Sequence, residues 1–241
     1  MGCLGGFLLR KLLRSFRSVF PFMRVPSLCC KFFFITADDG KNCNRKEPVL
    51  FCKRGDIMRL LCFGDSNTYG YDPRSYAGDR YPPESRWTDL LAEISGWEVV
   101  NMGLNGREIP TGTGELAGMV QQDDLLIVML GDNDLLCHPH ITAGEVAVKM
   151  ERFLRGLPPC RVLLVAPPPM ALGEWVTEET LLRESAVLPA AYEALALRLG
   201  LVFADAGQWG VEMACDGVHF SEHGHRTFAK GIQEAILCSL D

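Results

Sequence analysis

No Cys-x-x-Cys pair occurs in the 241 residues, although ten cysteines are present. A structural zinc site therefore has no spacing to support it, and no metal or other cofactor is expected. No apolar run is long enough to span a bilayer, because the nearest candidate, residues 7–20, is broken by Arg10, Lys11, Arg14 and Arg17. Internal repeats and low-complexity tracts are missing too. Acids are missing from the start of the chain, the first being Asp38, while beyond residue 57 it is positive charge that is scarce. Residues 58–241 hold 13 Lys/Arg against 26 Asp/Glu, a poor footing for nucleic acid, which needs a basic face. Finally, Gly64-Asp65-Ser66-Asn67 is followed by Thr68 rather than glycine, so the Gly-x-Ser-x-Gly elbow is not formed.

The first 57 residues differ in character from the rest. They carry 11 Lys/Arg against 4 Asp/Glu and half of the cysteines (Cys3, Cys29, Cys30, Cys43, Cys52). Within them, Leu8, Leu9, Leu12, Leu13, Phe16 and Phe20 share one helical face opposite the basic residues. That pattern suits weak contact with a membrane surface or a targeting peptide, and not a secretory signal. Met1-Gly2-Cys3 resembles an acylated N-terminus, but Gly6 stands where that motif wants Ser or Thr. We read 1–57 as a basic, cysteine-rich extension without a fold of its own. Translation starting at Met58 is the plainer alternative, and a chain beginning there is expected to keep its activity. The other cysteines (Cys62, Cys137, Cys160, Cys215, Cys238) are scattered, mostly within or beside apolar segments, as buried reduced thiols would be. This points to a cytoplasmic protein.

From Arg59 onward, strand and helix patterns alternate. Strands are expected at Leu60–Phe63, Trp97–Asn101, Leu125–Leu130, Arg161–Ala166 and Leu201–Ala204. Helices are expected over the Trp87–Ile94 repeat, after the capping box Thr142-Ala143-Gly144-Glu145, over 177–199 with a break near Pro189, and after Ser221. Such alternation predicts an α/β domain over 58–241, a five-stranded parallel sheet with helices on both faces. Ligands of such sheets bind beyond the carboxyl ends of the strands.

The polar punctuation lies at those ends. Gly64-Asp65-Ser66-Asn67 follows the first strand, Gly103-Leu104-Asn105-Gly106-Arg107 the second, and Gly131-Asp132-Asn133-Asp134 the third. Asp216-Gly217-Val218-His219 follows the fifth along a loop. Together they make a kit for acyl transfer. Ser66 is the candidate nucleophile and needs a base, which His219 can be, with Asp216 fixing its tautomer. Backbone N–H groups of Ser66 and Gly106, with the Asn133 amide, could hold an oxyanion.

Those four blocks, in that order, resemble the SGNH (GDSL-type) hydrolases, whose blocks carry Ser, Gly, Asn and His. The resemblance runs from about Arg59 to Leu237. It looks closest to the arylesterase/acyltransferase branch, on Phe63 to Tyr71, Arg86-Trp87-Thr88, Val165-Ala166-Pro167-Pro168-Pro169 and Asp205-Ala206-Gly207. It implies a three-layer α/β/α sandwich (flavodoxin-like), no metal, and hydrolysis of short acyl esters, including aryl, alkyl and O-acetyl carbohydrate esters, with transfer to alcohols as a second activity. Asp65, Asn67, Tyr71 and Trp87 are the expected substrate-binding residues. Asn67 departs from the family's common leucine after the serine.

Other readings compete. A catalytically silent binding module would keep the same fold. Cys215, His219, His223 and His225 could be taken for metal ligands, but His223 and His225 fit a solvated helix start better. His138-Pro139-His140 reads as a surface turn, and Asp134 as a support bonded near the serine turn. A small ester is the expected partner, and a homo-oligomer is compatible with the sequence.

Overall fold

The structure, a computed structural model, describes residues 58–75 and 77–239. The amphipathic 7–20 segment and the extension 1–57 lie outside the described residues. Five strands form one parallel sheet: β1 (Arg59–Gly64), β2 (Glu98–Gly103), β3 (Leu125–Met129), β4 (Arg161–Ala166) and β5 (Val202–Asp205), in the order β2-β1-β3-β4-β5. The helices are α1 (Ser66–Tyr69), α2 (Trp87–Ser95), α3 (Asp132–Cys137), α4 (Ala143–Arg155), α5 (Glu179–Leu199) and α6 (Glu222–Cys238).

The alternation of β-strand side chains sorts the core into two layers. Leu61 and Phe63 of β1 face one side with Leu126, Val128 and Leu164, and meet Val146, Met150 and Phe153 of α4 and Leu188, Tyr192 and Leu195 of α5. Leu60 and Cys62 face the other side with Ile127, Leu163 and Val165, and meet Trp87 and Leu91 of α2 and Phe228 and Ile232 of α6. The result is the three-layer α/β/α sandwich expected from the alternating pattern. Near-continuous apolar strands such as β3, buried along its whole length, are what a doubly covered parallel sheet requires. The capping box of α4 is closed in both directions between Thr142 and Glu145, and Ser221 caps α6 through the Gly224 N–H.

Helix α5 does not break at Pro189. It runs unbroken from Glu179 to Leu199, because Leu188, Pro189, Tyr192, Leu195 and Ala196 are all buried along one stripe, and that packing carries it past the missing N–H. The thiols differ as well. Cys62 is buried, but Cys137 and Cys215 are exposed and Cys160 and Cys238 half-buried, so being next to an apolar run does not put a side chain inside it.

Two glycines set the working edge. A Cβ at Gly64 would lie 2.0 Å from Thr68 Oγ1, and one at Gly103 would lie 2.0 Å from the Tyr69 nitrogen. Their bare backbones let α1 settle directly on the ends of β1 and β2. In register, Gly64 pairs with Gly103 on one side and Met129 on the other, so three loops leave the sheet at one level.

Candidate active site

Ser66 opens α1 immediately beyond β1, at a helix position whose N–H finds no acceptor within its own helix. The turn is fixed by Asp65, whose carboxylate accepts from the Asn67 N–H at 2.9 Å. The Ser66 hydroxyl lies 2.9 Å from His219 Nε2, and His219 Nδ1 lies 2.6 Å from Asp216 Oδ2. The other Asp216 oxygen accepts from the backbone N–H groups of Val218 and His219, both at 2.9 Å. Asp216 is therefore held from two directions. Its burial pushes its pKa up, but the bonds from the His219 ring and from the His219 and Val218 N–H groups outweigh this, and the net shift is downward. It stays ionised, with Nδ1–H pointed at it, which leaves a lone pair on Nε2 toward Ser66. Three residues separated by up to 153 positions are thus brought into one line.

The two other loops close beside the serine. The Leu104 N–H donates to the Gly64 carbonyl at 3.1 Å, and the Arg107 guanidinium reaches the same carbonyl at 2.8 Å, stacked over the Phe63 ring. Gly106 sits between them at φ +71°, where an added Cβ would meet nothing within 4 Å. Asn133, on the first turn of α3, gives one amide hydrogen to the Arg107 carbonyl at 3.2 Å. Its second amide hydrogen stays available. Asp134 is bonded to the Ile109 N–H at 2.9 Å and pairs with Lys149, so it braces the Gly106 loop and not the serine turn as expected.

Of the expected substrate-binding residues, only Tyr71 borders the site, its ring 4.5 Å from that of His219. Asn67, Trp87 and Asp65 need correcting. Asn67 is buried: its Nδ2 donates to the Val218 carbonyl (3.1 Å) and its Oδ1 accepts from the Phe220 N–H (2.9 Å), gripping the chain on both sides of His219. Leucine could make neither bond, which gives the departure from the family block a physical use. Trp87 is 1% exposed, packed on Phe228, and its indole N–H donates to the Asn67 carbonyl at 3.0 Å. It supports the serine turn from below. Asp65 is enclosed, and burial raises its pKa to about 6 against the pull of the Asn67 N–H; burial likewise raises Asp132, with the charge of Asp65 adding to the rise.

Two residues carry weight that the sequence did not announce. Arg107, buried, ties the second loop to β1. Trp175, in the irregular stretch after β4, meets the His219 ring edge-on at 5.1 Å. The signal for Arg107 is its place directly after Gly106; an aperiodic loop offers none for Trp175.

His225 is not at a solvated helix start. It is enclosed by Tyr81 and Phe220, with Nδ1 accepting from the Trp87 N–H at 3.4 Å and Nε2 unpartnered. Burial, helped by the nearby His219 and opposed by Asp72, lowers its pKa from 6.5 to about 3. In the unfolded chain it takes up a proton below about pH 6.5, whereas folded it does so only near pH 3, so acid favours unfolding throughout that window. Stability is expected to fall by about 1.4 kcal/mol per pH unit from this residue alone between those limits. Urea melts from pH 7 to pH 4 should show this slope flattened in His225→Gln; an unchanged slope would assign the acid lability elsewhere.

Among the described residues no group of three or more His, Cys, Asp or Glu is arranged to hold a metal ion, and no helix is long and apolar enough to cross a membrane. Residues 62–227 match the model of the GDSL-like lipase/acylhydrolase family. No curated protein sequence matches the chain. Among solved structures, an aryl esterase from M. smegmatis superposes with a TM-score of 0.66 at 29% identity, over 77% of this chain and 100% of that one. A carbohydrate acetylesterase from Sinorhizobium meliloti gives 0.66 at 27%, over 76% and 99%. A lipolytic G-D-S-L protein from Veillonella parvula, 18% identical over 74% and 97% of the two chains, shares the fold at 0.57. With its four blocks gathered at one sheet edge and more than half its length matching the family, the chain belongs to the GDSL-like lipase/acylhydrolases and is a hydrolase of carboxylic esters.

Proposed function

We propose that this hydrolase acts on esters of small acyl groups, aryl, alkyl or O-acetyl carbohydrate, through an acyl-enzyme on Ser66. The observation that carries the reading is the unbroken line Ser66 Oγ, His219 Nε2, His219 Nδ1, Asp216 Oδ2, at 2.9 and 2.6 Å. Ser66 Oγ attacks the ester carbonyl carbon as its proton passes to His219 Nε2, and Asp216 steadies the imidazolium. The carbonyl oxygen, now an oxyanion, is held by the N–H groups of Ser66 and Gly106 and the free Asn133 amide hydrogen. His219 then returns the proton to the departing alkoxide. A water molecule repeats the sequence on the acyl-enzyme, giving the carboxylic acid and free Ser66. The carbohydrate acetylesterase neighbour supports a short acyl group, and the aryl esterase neighbour supports an aryl ester.

A fluorophosphonate probe should add to the protein once, at Ser66, with the label found by peptide mass mapping and missing from Ser66→Ala. Labelling at another residue, or none, would overturn the assignment of the nucleophile.

A further inference from the structure

Buried acids crowd the place where the oxyanion would form. Asp65, Asp132 and Asp134 are all enclosed, and each is next in sequence to Ser66 or Asn133. Negative charge there has the wrong sign, because catalysis gathers negative charge on the carbonyl oxygen held by Ser66, Gly106 and Asn133. The fold treats the three acids differently. Burial pushes Asp65 and Asp132 up toward the protonated form. Asp134 is enclosed as fully as either, and it is given a counter-ion instead.

That counter-ion is Lys149, from the middle of α4. Asp134 Oδ2 accepts from the Ile109 N–H at 2.9 Å, while Oδ1 meets no partner among the described residues except the Lys149 ammonium. Burial works against the ammonium charge, but the bonds to Asp134 and Glu108 outweigh it and hold Lys149 protonated. The same ammonium lies 3.3 Å from Glu108 Oε2, and that oxygen is also 2.8 Å from Nε2 of His138, the residue that ends α3. Glu108 belongs to the Gly106 loop, so one cation ties this loop to α3 and α4. Glu108 and His138 reach the surface, where water and salt screen them. The enclosed Asp134 is therefore the carboxylate that Lys149 chiefly neutralises.

We propose that Lys149 is a positioning residue for the oxyanion site, acting through Asp134. It cancels a carboxylate charge next to Asn133 that would otherwise oppose the oxyanion, and it keeps Glu108, and with it the Gly106 loop, against α3. The inference rests on the oxyanion site being the one assigned above. Lys149 itself touches neither substrate nor reacting atoms. Its absence would leave a full negative charge one residue from the Asn133 amide, which at the effective dielectric of a protein slows the reaction about tenfold.

Steady-state kinetics on p-nitrophenyl acetate test this, with each rate divided by the number of sites that the fluorophosphonate titrates, so that only folded protein counts. Lys149→Met is expected to lower kcat about tenfold at nearly constant KM. Lys149→Gln keeps a donor for the carboxylates but no charge; it is expected to lose nearly as much, and it stands in for the methionine variant if that one does not fold. Lys149→Arg is expected to keep most of the rate. The double variant Lys149→Met/Asp134→Asn removes cation and anion together, while the asparagine oxygen still accepts from Ile109. It is expected to regain most of what the single variants lose. Benzeneboronic acid gives a second readout, since its tetrahedral adduct on Ser66 sets an oxygen in the oxyanion site. Its Ki should rise and recover in step with kcat. Wild-type kcat in Lys149→Gln, a double variant no faster than the single ones, or a Ki that stays flat while kcat falls would each overturn the proposal. Failure of the oxyanion assignment shows elsewhere, as Asn133→Ala protein with wild-type kcat and boronate affinity.

Discussion

Asp216→Asn is expected to lower kcat on p-nitrophenyl acetate by about 10⁴-fold while leaving KM nearly unchanged. The size of the effect follows from how Asp216 is held. One of its oxygens accepts two backbone N–H groups and the other faces His219 Nδ1. In asparagine, the amide oxygen must stay with the two backbone donors, because turning the NH₂ toward them would set donor against donor. The NH₂ then faces Nδ1, which has to present a lone pair, and the ring proton moves to Nε2. There it points at Ser66 Oγ, the atom whose proton the ring should accept. Geometry survives and the tautomer is wrong. Steady-state kinetics decide the matter: a loss of less than tenfold would mean that something other than Asp216 sets the imidazole tautomer.

Asn133→Ala is expected to cost about 10²–10³-fold in kcat, again with little change in KM. The amide has two hydrogens, one committed to the Arg107 carbonyl, so removing it deletes the proposed oxyanion donor and breaks one of the bonds between α3 and the Gly106 loop, the Asp134 bond to the Ile109 N–H remaining. Asn133→Asp loses both bonds too, because a carboxylate donates neither to an oxyanion nor to the Arg107 carbonyl. It preserves volume, yet it replaces a donor with a negative charge in the place where negative charge develops, beside the buried Asp132 and Asp134. It is expected to be at least as inactive as the alanine variant. An aspartate variant retaining most of the wild-type kcat would remove Asn133 from the oxyanion site.

The sheet, its order of elements and the residues that meet at its edge were legible because each depends on local pattern. Apolar strand runs ended at small polar residues, and the four blocks lay at strand ends that a parallel sheet must bring to one side. What the pattern could not supply was the direction of individual side chains near Ser66. Asp65, Asn67 and Trp87 sit close to the serine in sequence or in the family blocks, which suggests pocket lining; all three turn inward and hold the turn from beneath. The environment of His225 is hidden from the sequence for a related reason. Its position on the first turn of α6 suggests solvent, whereas the Tyr81 ring, brought from a distant segment, and the Phe220 ring, just ahead of the Ser221 cap, close over it. Trp175 carries no sequence signal, since its stretch has no period and its place is dictated by main-chain bonds to residues about forty positions later.

The grip of Asn67 on the Val218 carbonyl and the Phe220 N–H has a temporal consequence. The serine turn and its sheet neighbours come from the early and middle parts of the domain, but the imidazole and its staple come from the final quarter. On the ribosome, a chain whose first four strands have already emerged carries an unarmed hydroxyl, and arming waits until the segment around Phe220 clears the exit tunnel and snaps onto the amide.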